Sequence, residues 1–123
     1  MRNLRLDICY DGTRYRGWQR LSGVDNTIQG KLEQTLSRIL GETIEISGSG
    51  RTDAGVHANE YYFNVRTNST IPVGSFPVAL ASSKLPGEIS VYSCVEVDDD
   101  FNARFDCVKK EYIYLFENTK LLL

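Results

Sequence analysis

Hydrophobic residues alternate in some stretches of this chain and recur at helical spacing in others. Leu4, Leu6, Ile8 and Tyr10 alternate with Arg5, Asp7 and Cys9, the period-two pattern of a strand with one buried face. Asp11-Gly12 is a turn signal, and residues 12–25 read as a long loop. Asn26 or Thr27 then offers a cap. Ile28, Leu32, Leu36, Ile39 and Leu40 share one helical face, and Gly41 is the stop. Thr43 to Ser47 alternates again, with Ile44 and Ile46 on one side. A Gly/Ser-rich stretch, 48–58, precedes a strand in which Tyr61, Phe63 and Val65 face away from Glu60, Tyr62, Asn64 and Arg66. Ser75 to Leu85 reads as a short helix between Pro72 and Pro86-Gly87. Ile89, Val91, Val95 and Val97 mark a further strand, Asp98 to Asn102 a turn, and Phe105 to Phe116 a long aromatic-rich strand.

The first six elements run strand, helix, strand, strand, helix, strand. That is the order of the ferredoxin-like β-α-β-β-α-β arrangement, with an extra strand after it. The expected fold is therefore α+β: a mostly antiparallel sheet with helices on one face and the other face free for a ligand or a second domain. No repeat or linker interrupts residues 1–123, which read as one domain. The three leucines at the end, Leu121 to Leu123, are either a frayed tail or a segment that packs against a further half.

Composition narrows the chemistry. The chain is 41% hydrophobic and 24% charged, as in ordinary soluble domains, and no apolar run approaches the roughly 20 residues of a membrane span. The charged start, Met1 to Asp7, lacks the apolar stretch of a secretory signal. Cys9, Cys94 and Cys107 are an odd and widely spaced set, a poor disulfide framework that points to a reducing compartment, the cytoplasm. His57 is the single histidine and no Cys-x-x-Cys is present, so a structural zinc site is not expected. A net charge of −2 argues weakly against a nucleic-acid partner. Its distribution reverses that argument locally: residues 1–24 hold five arginines against two aspartates, while Asp98-Asp99-Asp100 concentrates negative charge elsewhere.

Three segments carry candidate chemistry. Ser49 to Ala58 places Arg51 and Asp53 between glycines, in a loop between two strands. It fails the dinucleotide fingerprint, because the glycine spacing is wrong and a strand follows where a helix should, and it lacks the Gly-Lys-Ser/Thr of a phosphate loop. Glycines allow close approach of a substrate, and an arginine beside a carboxylate keeps that carboxylate ionised. Two readings of Asp53 stay open: an ionised nucleophile or base, or the acceptor of an Asx-turn bonded to the backbone at Gly55. In Tyr10 to Arg20, Arg14, Arg16 and Arg20 interleave with aromatics, as in loops that pair phosphates and stack bases; Trp18, the only tryptophan, reads better as core. In the third segment, Asn102-Ala103-Arg104-Phe105 precedes a strand where Tyr112 and Tyr114 share a face with Lys110, either for sheet packing or as a stacking platform.

These segments resemble the tRNA pseudouridine synthase A family. The resemblance rests on Tyr10-Asp11-Gly12, Tyr15-x-Gly17-Trp18-Gln19, Ile28-Gln29-Gly30-Lys31-Leu32-Glu33, and Gly50-Arg51-Thr52-Asp53-Ala54-Gly55-Val56-His57. It continues through Leu85-Pro86-Gly87-Glu88-Ile89, Phe101-Asn102-Ala103-Arg104-Phe105 and Lys110-x-Tyr112-x-Tyr114. The matches fall in order from about residue 8 to 118, and the block from Gly50 to His57 is highly specific. The resemblance implies an isomerase that converts uridine to pseudouridine in the anticodon arm of tRNA without a cofactor or metal. It implies that Asp53 is the catalytic carboxylate, that Tyr112 stacks on the uracil and helps remove the C5 proton, and that Arg51 aids base extrusion and orients the carboxylate. Arg14, Arg16, Gln19, Arg20 and Arg104 would contact the RNA.

Family members are about twice this length and consist of two similar lobes, so the chain matches an N-terminal lobe, with a second lobe or a homodimer as the expected partner. Asn102 stands where some members have histidine. The rival expectation is a non-catalytic RNA-binding module of the same fold. A weaker one, an unrelated protein-interaction domain, is disfavoured by the block from Gly50 to His57.

Overall fold

The computed structural model describes residues 1–24, 26–50, 54–83 and 85–104. The expected strand from Phe105 to Phe116 lies outside the described residues.

The alternation at the start of the chain forms β1, Arg2–Tyr10, with Leu4, Leu6 and Ile8 fully buried. β1 lies between two antiparallel neighbours. Leu6 faces Phe63 of β3 (Ala58–Thr67) on one side and Cys94 of β4 (Ile89–Val97) on the other. The two-residue β2, Ser47–Gly48, pairs with Asn64 and Phe63 and completes the order β2-β3-β1-β4. The described fold is thus α+β, a four-stranded antiparallel sheet with two α-helices.

The first helix, α1, covers Ile28–Leu40. The Thr27 hydroxyl caps it by accepting the Gly30 N–H at 3.1 Å. Gly41 closes it in the left-handed region, φ +67°, returning its N–H to the Ser37 carbonyl, as expected where a helix must end sharply. The second, α2, is shorter than its pattern suggests, Phe76–Ser82, and a 3₁₀ turn, Val73–Ser75, leads into it. Ile28, Leu32 and Leu36 of α1 and Phe76 and Leu80 of α2 join Leu4, Leu6, Ile8, Phe63 and Val65 in one buried cluster. At about 1.5–3 kcal/mol for each side chain of this size, this shared burial is what holds short helices to the sheet.

Two local expectations change. Thr43 to Ser47 alternates as foreseen, with Ile44 and Ile46 buried, but only Ser47 is in a strand. The reason lies in the backbone donors: the Ile44 N–H goes to the Ser37 hydroxyl at 2.9 Å and the Ile46 N–H to the Glu33 carboxylate at 3.1 Å, so the segment is held by α1. Asn64 falls on the polar side of β3 yet is buried, together with Asn3. The Asn64 amide donates to Asn3 Oδ1 and accepts the Ala103 N–H, while the Asn3 amide donates to the carbonyls of Asp98 and Phe101. Residues 98–103 thereby cover this part of the sheet's second face. Beyond the cover, Arg5 pairs with Asp7 at 3.1 Å and lies over the Tyr62 ring. Cys9 is half-buried on this face. Cys94 is buried on the other, and burial pushes its thiol up to about 11.

Candidate active site

The end of β1, the start of β3 and the start of β4 meet at one end of the sheet's strands, since Tyr10 lies opposite both Ala58 and Ile89. Three loops therefore converge there: residues 11–27, 49–57 and 83–88. The middle one carries Arg51, Thr52 and Asp53, which lie outside the described residues; Tyr112 does too. The described residues show how that loop is held on both sides.

On the upstream side, the Ser49 N–H donates to the Tyr62 carbonyl at 3.0 Å. Gly50 is held by the Tyr61 hydroxyl, which accepts its N–H at 3.2 Å and donates to its carbonyl. Tyr61 belongs to an aromatic cluster with Trp18, its ring centroid 4.4 Å from the indole, and with Tyr10 at 6.0 Å. Trp18 is buried, so its reading as core holds. Gly48 passes directly over this pair. A methyl there would sit 2.8 Å from two indole carbons and closer still to the Tyr61 hydroxyl, so only glycine fits.

On the downstream side, the Gly55 N–H donates to the Tyr15 carbonyl at 3.1 Å. Asp53, on which the Asx-turn reading rests, lies outside the described residues. Gly12 packs against the Val56 backbone, and its N–H donates to His57 Nδ1 at 2.9 Å. Asp11 Oδ1 lies 3.1 Å from the same nitrogen. Nδ1 accepts from Gly12 when it carries no hydrogen and donates to Asp11 when it carries one, so this nitrogen makes one of the two bonds at a time. The Asp11 carboxyl is held below its usual range chiefly because it accepts the Thr13 hydroxyl and N–H, with His57 and Arg14 adding smaller attractions.

The loop from Gly12 to Arg20 alternates inward and outward. Tyr15, Gly17 and Trp18 are buried, while Arg14, Arg16, Gln19 and Arg20 are exposed. Its backbone is tied to the start of α1: the Ile28 N–H donates to the Gly17 carbonyl and the Gln29 N–H to that of Trp18, so two of the donors freed at the helix start are used. The Tyr15 hydroxyl donates to Glu88 at 3.1 Å, and burial with that carboxylate pushes the phenol up to about 12. The arrangement leaves Arg14 and Arg16 exposed on a loop tied by backbone hydrogen bonds. Arg20 is different, since its guanidinium lies 3.1 Å from the buried Glu33. Arg104 is exposed on the far loop, its N–H donated to Asn102 Oδ1.

Several residues that matter to this geometry carry no special mark in the residue pattern. Glu33 and Gln29 sit on the helix, yet they hold Arg20 and Ile46; Glu88 anchors Tyr15; Tyr61 reads only as a strand residue. The one available signal is that Gln29, Glu33 and Glu88 fall inside the motifs on which the resemblance rests. Among the described residues there is no group of three or more His, Cys, Asp or Glu arranged to hold a metal ion, and no helix is long and apolar enough to cross a membrane.

A four-stranded antiparallel sheet with two α-helices, with three loops converging over the Tyr10, Trp18 and Tyr61 rings beside exposed arginines, defines an α+β protein. Residues 8–106 match a family described as tRNA pseudouridine synthase, and the chain belongs to that family. It is 48% identical over 120 residues to the tRNA pseudouridine synthase A of Caldicellulosiruptor bescii, an alignment covering 98% of this chain and 48% of that protein. It is 48% identical over 118 residues to the tRNA pseudouridine synthase A 2 of Clostridium perfringens, covering 96% of this chain and 48% of that one. The tRNA pseudouridine synthase A of Bacillus sp. strain KSM-64 is 47% identical over 118 residues, with 96% and 48% covered. The chain spans about half the length of the curated relatives it matches.

Proposed function

We propose that this chain is the N-terminal, Asp-bearing lobe of a tRNA pseudouridine synthase that isomerises uridine in the anticodon arm of tRNA. The observation that carries the reading is the family match together with the Gly50–His57 block, braced on both sides at this end of the sheet's strands. Asp53 is the catalytic carboxylate. It acts at the ribose, either by attacking the sugar or by taking the C2′ proton, and the C1′–N1 bond breaks. The freed uracil turns and rejoins C1′ through C5, and the C5 proton leaves, with Tyr112 stacked on the base to help remove it. The product is an isomer of the starting nucleotide, so no cofactor is needed. Arg51 supports extrusion of the base, whose unstacking costs a few kcal/mol, and keeps Asp53 ionised.

Arg14, Arg16, Gln19, Arg20 and Arg104 contact the RNA. The exposure of Arg14 and Arg16 on a tied loop supports this role, whereas the pairing of Arg20 with Glu33 gives Arg20 a structural duty as well. The strand order β2-β3-β1-β4, with the inward residues of both helices in one cluster, supports the ferredoxin-like reading of the lobe. A second lobe or a second copy completes the cleft, and the protein works in the cytoplasm.

Asp53→Asn tests the assignment. It keeps the side-chain shape and removes the charge and the base. With this chain paired with the second half of a curated relative, pseudouridine-specific labelling of a tRNA transcript should show product from the native sequence and none from Asp53→Asn, with tRNA binding unchanged. Near-native product from Asp53→Asn refutes the role of Asp53. Binding without product from the native pair favours the RNA-binding module.

A further inference from the structure

Gly50 immediately precedes Arg51-Thr52-Asp53, and its peptide groups are held by one side chain. Tyr61 starts from the buried face of β3, opposite Ile8, and is 8% exposed. A tyrosine in that position has to find a partner for its hydroxyl. The hydroxyl reaches Gly50 across the space left by Gly48, which has no side chain to block it. There it both accepts the Gly50 N–H and donates to the Gly50 carbonyl. The ring is fixed in turn by Trp18 and Tyr10.

Glycine has the widest backbone freedom of any residue, so an unheld Gly50 would let the following segment swing. The downstream side is already held at Gly55 and His57 by residues of another loop. The hydroxyl therefore restrains the chain at the residue from which the Arg/Asp segment continues.

We propose that Tyr61 is a positioning residue for the catalytic loop, acting through its hydroxyl on the Gly50 peptide and touching neither substrate nor reacting atoms. The proposal rests on the reading of Asp53 given above. Binding of tRNA through Arg14 and Arg16 is independent of this contact, so loss of the hydroxyl affects the chemical step and leaves substrate affinity unchanged. A displacement of about an ångström at a reacting group costs on the order of a hundredfold in rate, and loss of one of several anchors should cost about tenfold or more.

Tyr61→Phe removes the hydroxyl and keeps the ring against Trp18. Two measurements follow. In the chain itself, the backbone N–H of Gly50 should exchange with solvent about tenfold faster in Tyr61→Phe, while the N–H groups of Leu6 and Phe63 exchange as before. In the chain paired with the second half of a relative, kcat should fall about tenfold or more with KM unchanged. Tyr61→Gln, which can restore a polar contact to Gly50, should recover part of both effects. Native exchange at Gly50 in Tyr61→Phe overturns the proposal, as does a native kcat or a change in KM alone. Asp53→Asn in the same assay separates the two readings. Loss of product there with native kcat in Tyr61→Phe overturns only the positioning role. Product retained in Asp53→Asn overturns the catalytic reading, and the exchange rate then decides whether Tyr61 holds the loop.

Discussion

Gly12→Ala is a severe test of how the loops converge. Gly12 follows the turn at the end of β1 and lies against the backbone of Val56. A methyl there would sit 2.7 Å from the Val56 carbonyl carbon and 3.2 Å from its nitrogen, with the carbonyl oxygen nearer still. Ordinary contact begins at 3.4 Å, so the Val56 carbonyl oxygen must retreat by about 1.5 Å. It cannot do so alone, since the Gly55 N–H is bonded to the Tyr15 carbonyl and His57 Nδ1 to the Gly12 N–H. Overpacking against backbone costs about 1–3 kcal/mol, and loss of the His57 bond adds about 1 kcal/mol. At roughly 3–4 °C per kcal/mol for a domain of this size, the melting temperature should fall by roughly 6–15 °C. Gly74→Ala is the control. Its new methyl meets nothing within 4 Å, and alanine should change stability by less than about 1 kcal/mol. Thermal unfolding followed by far-UV circular dichroism reads both. A Gly12→Ala protein melting within about 2 °C of native would refute the claim that the turn after β1 and the segment after Asp53 are packed against each other.

Three further outcomes follow. Asn64→Leu should lower stability by about 2–4 kcal/mol in urea unfolding, because it strands the buried Ala103 N–H and Asn3 Oδ1; a loss under about 0.5 kcal/mol would show that residues 98–103 are not held by this pair. The Cys94 thiol and the Tyr15 phenol hold their protons more tightly folded than unfolded, with values near 11 and 12 against 9.0 and 10.0. Their contribution is complete below about pH 9 and is lost as pH rises through 11 to 12, so stability should fall across that window; Tyr15→Phe should flatten its upper part, and an unchanged profile would refute the burial of that phenol. In the pairing used above, Arg14→Ala with Arg16→Ala should reduce the slope of log affinity for tRNA against log salt by roughly 0.7–0.9 per residue, and Arg20→Ala by less because Glu33 already pairs it; an unchanged slope in the double variant removes this loop from the RNA contacts.

Periodicity and capping made most of the fold legible. The alternation from Leu4 to Tyr10 and from Tyr61 to Val65, and the Thr27–Gly41 bracket on α1, all appear in the structure where the pattern places them. These are local signals, set by which face of one element is apolar and by which residues satisfy its ends. The pattern failed where a side chain distant in sequence intervened. Thr43 to Ser47 alternates like a strand, but Ser37 and Glu33 take the backbone donors at Ile44 and Ile46. Asn64 reads as solvent-facing because alternation cannot foresee a loop folding over the second face of the sheet.

The candidate site divides in the same way. Arg51, Asp53, Tyr112 and the arginines of the long loop were named from residue type and from a motif specific enough to mark a family. Nothing in one-dimensional spacing could place Tyr61 at Gly50, Gly12 against Val56, or Glu33 beneath Arg20, because each contact joins residues brought together by β1 lying between β3 and β4 and by α1 packing on that sheet. Sequence by itself marked which residues are candidates for the chemistry. The tertiary structure decided which groups hold the backbone that flanks them, since a hydrogen bond or a packed glycine is a relation between surfaces, and those surfaces exist only once the core has closed.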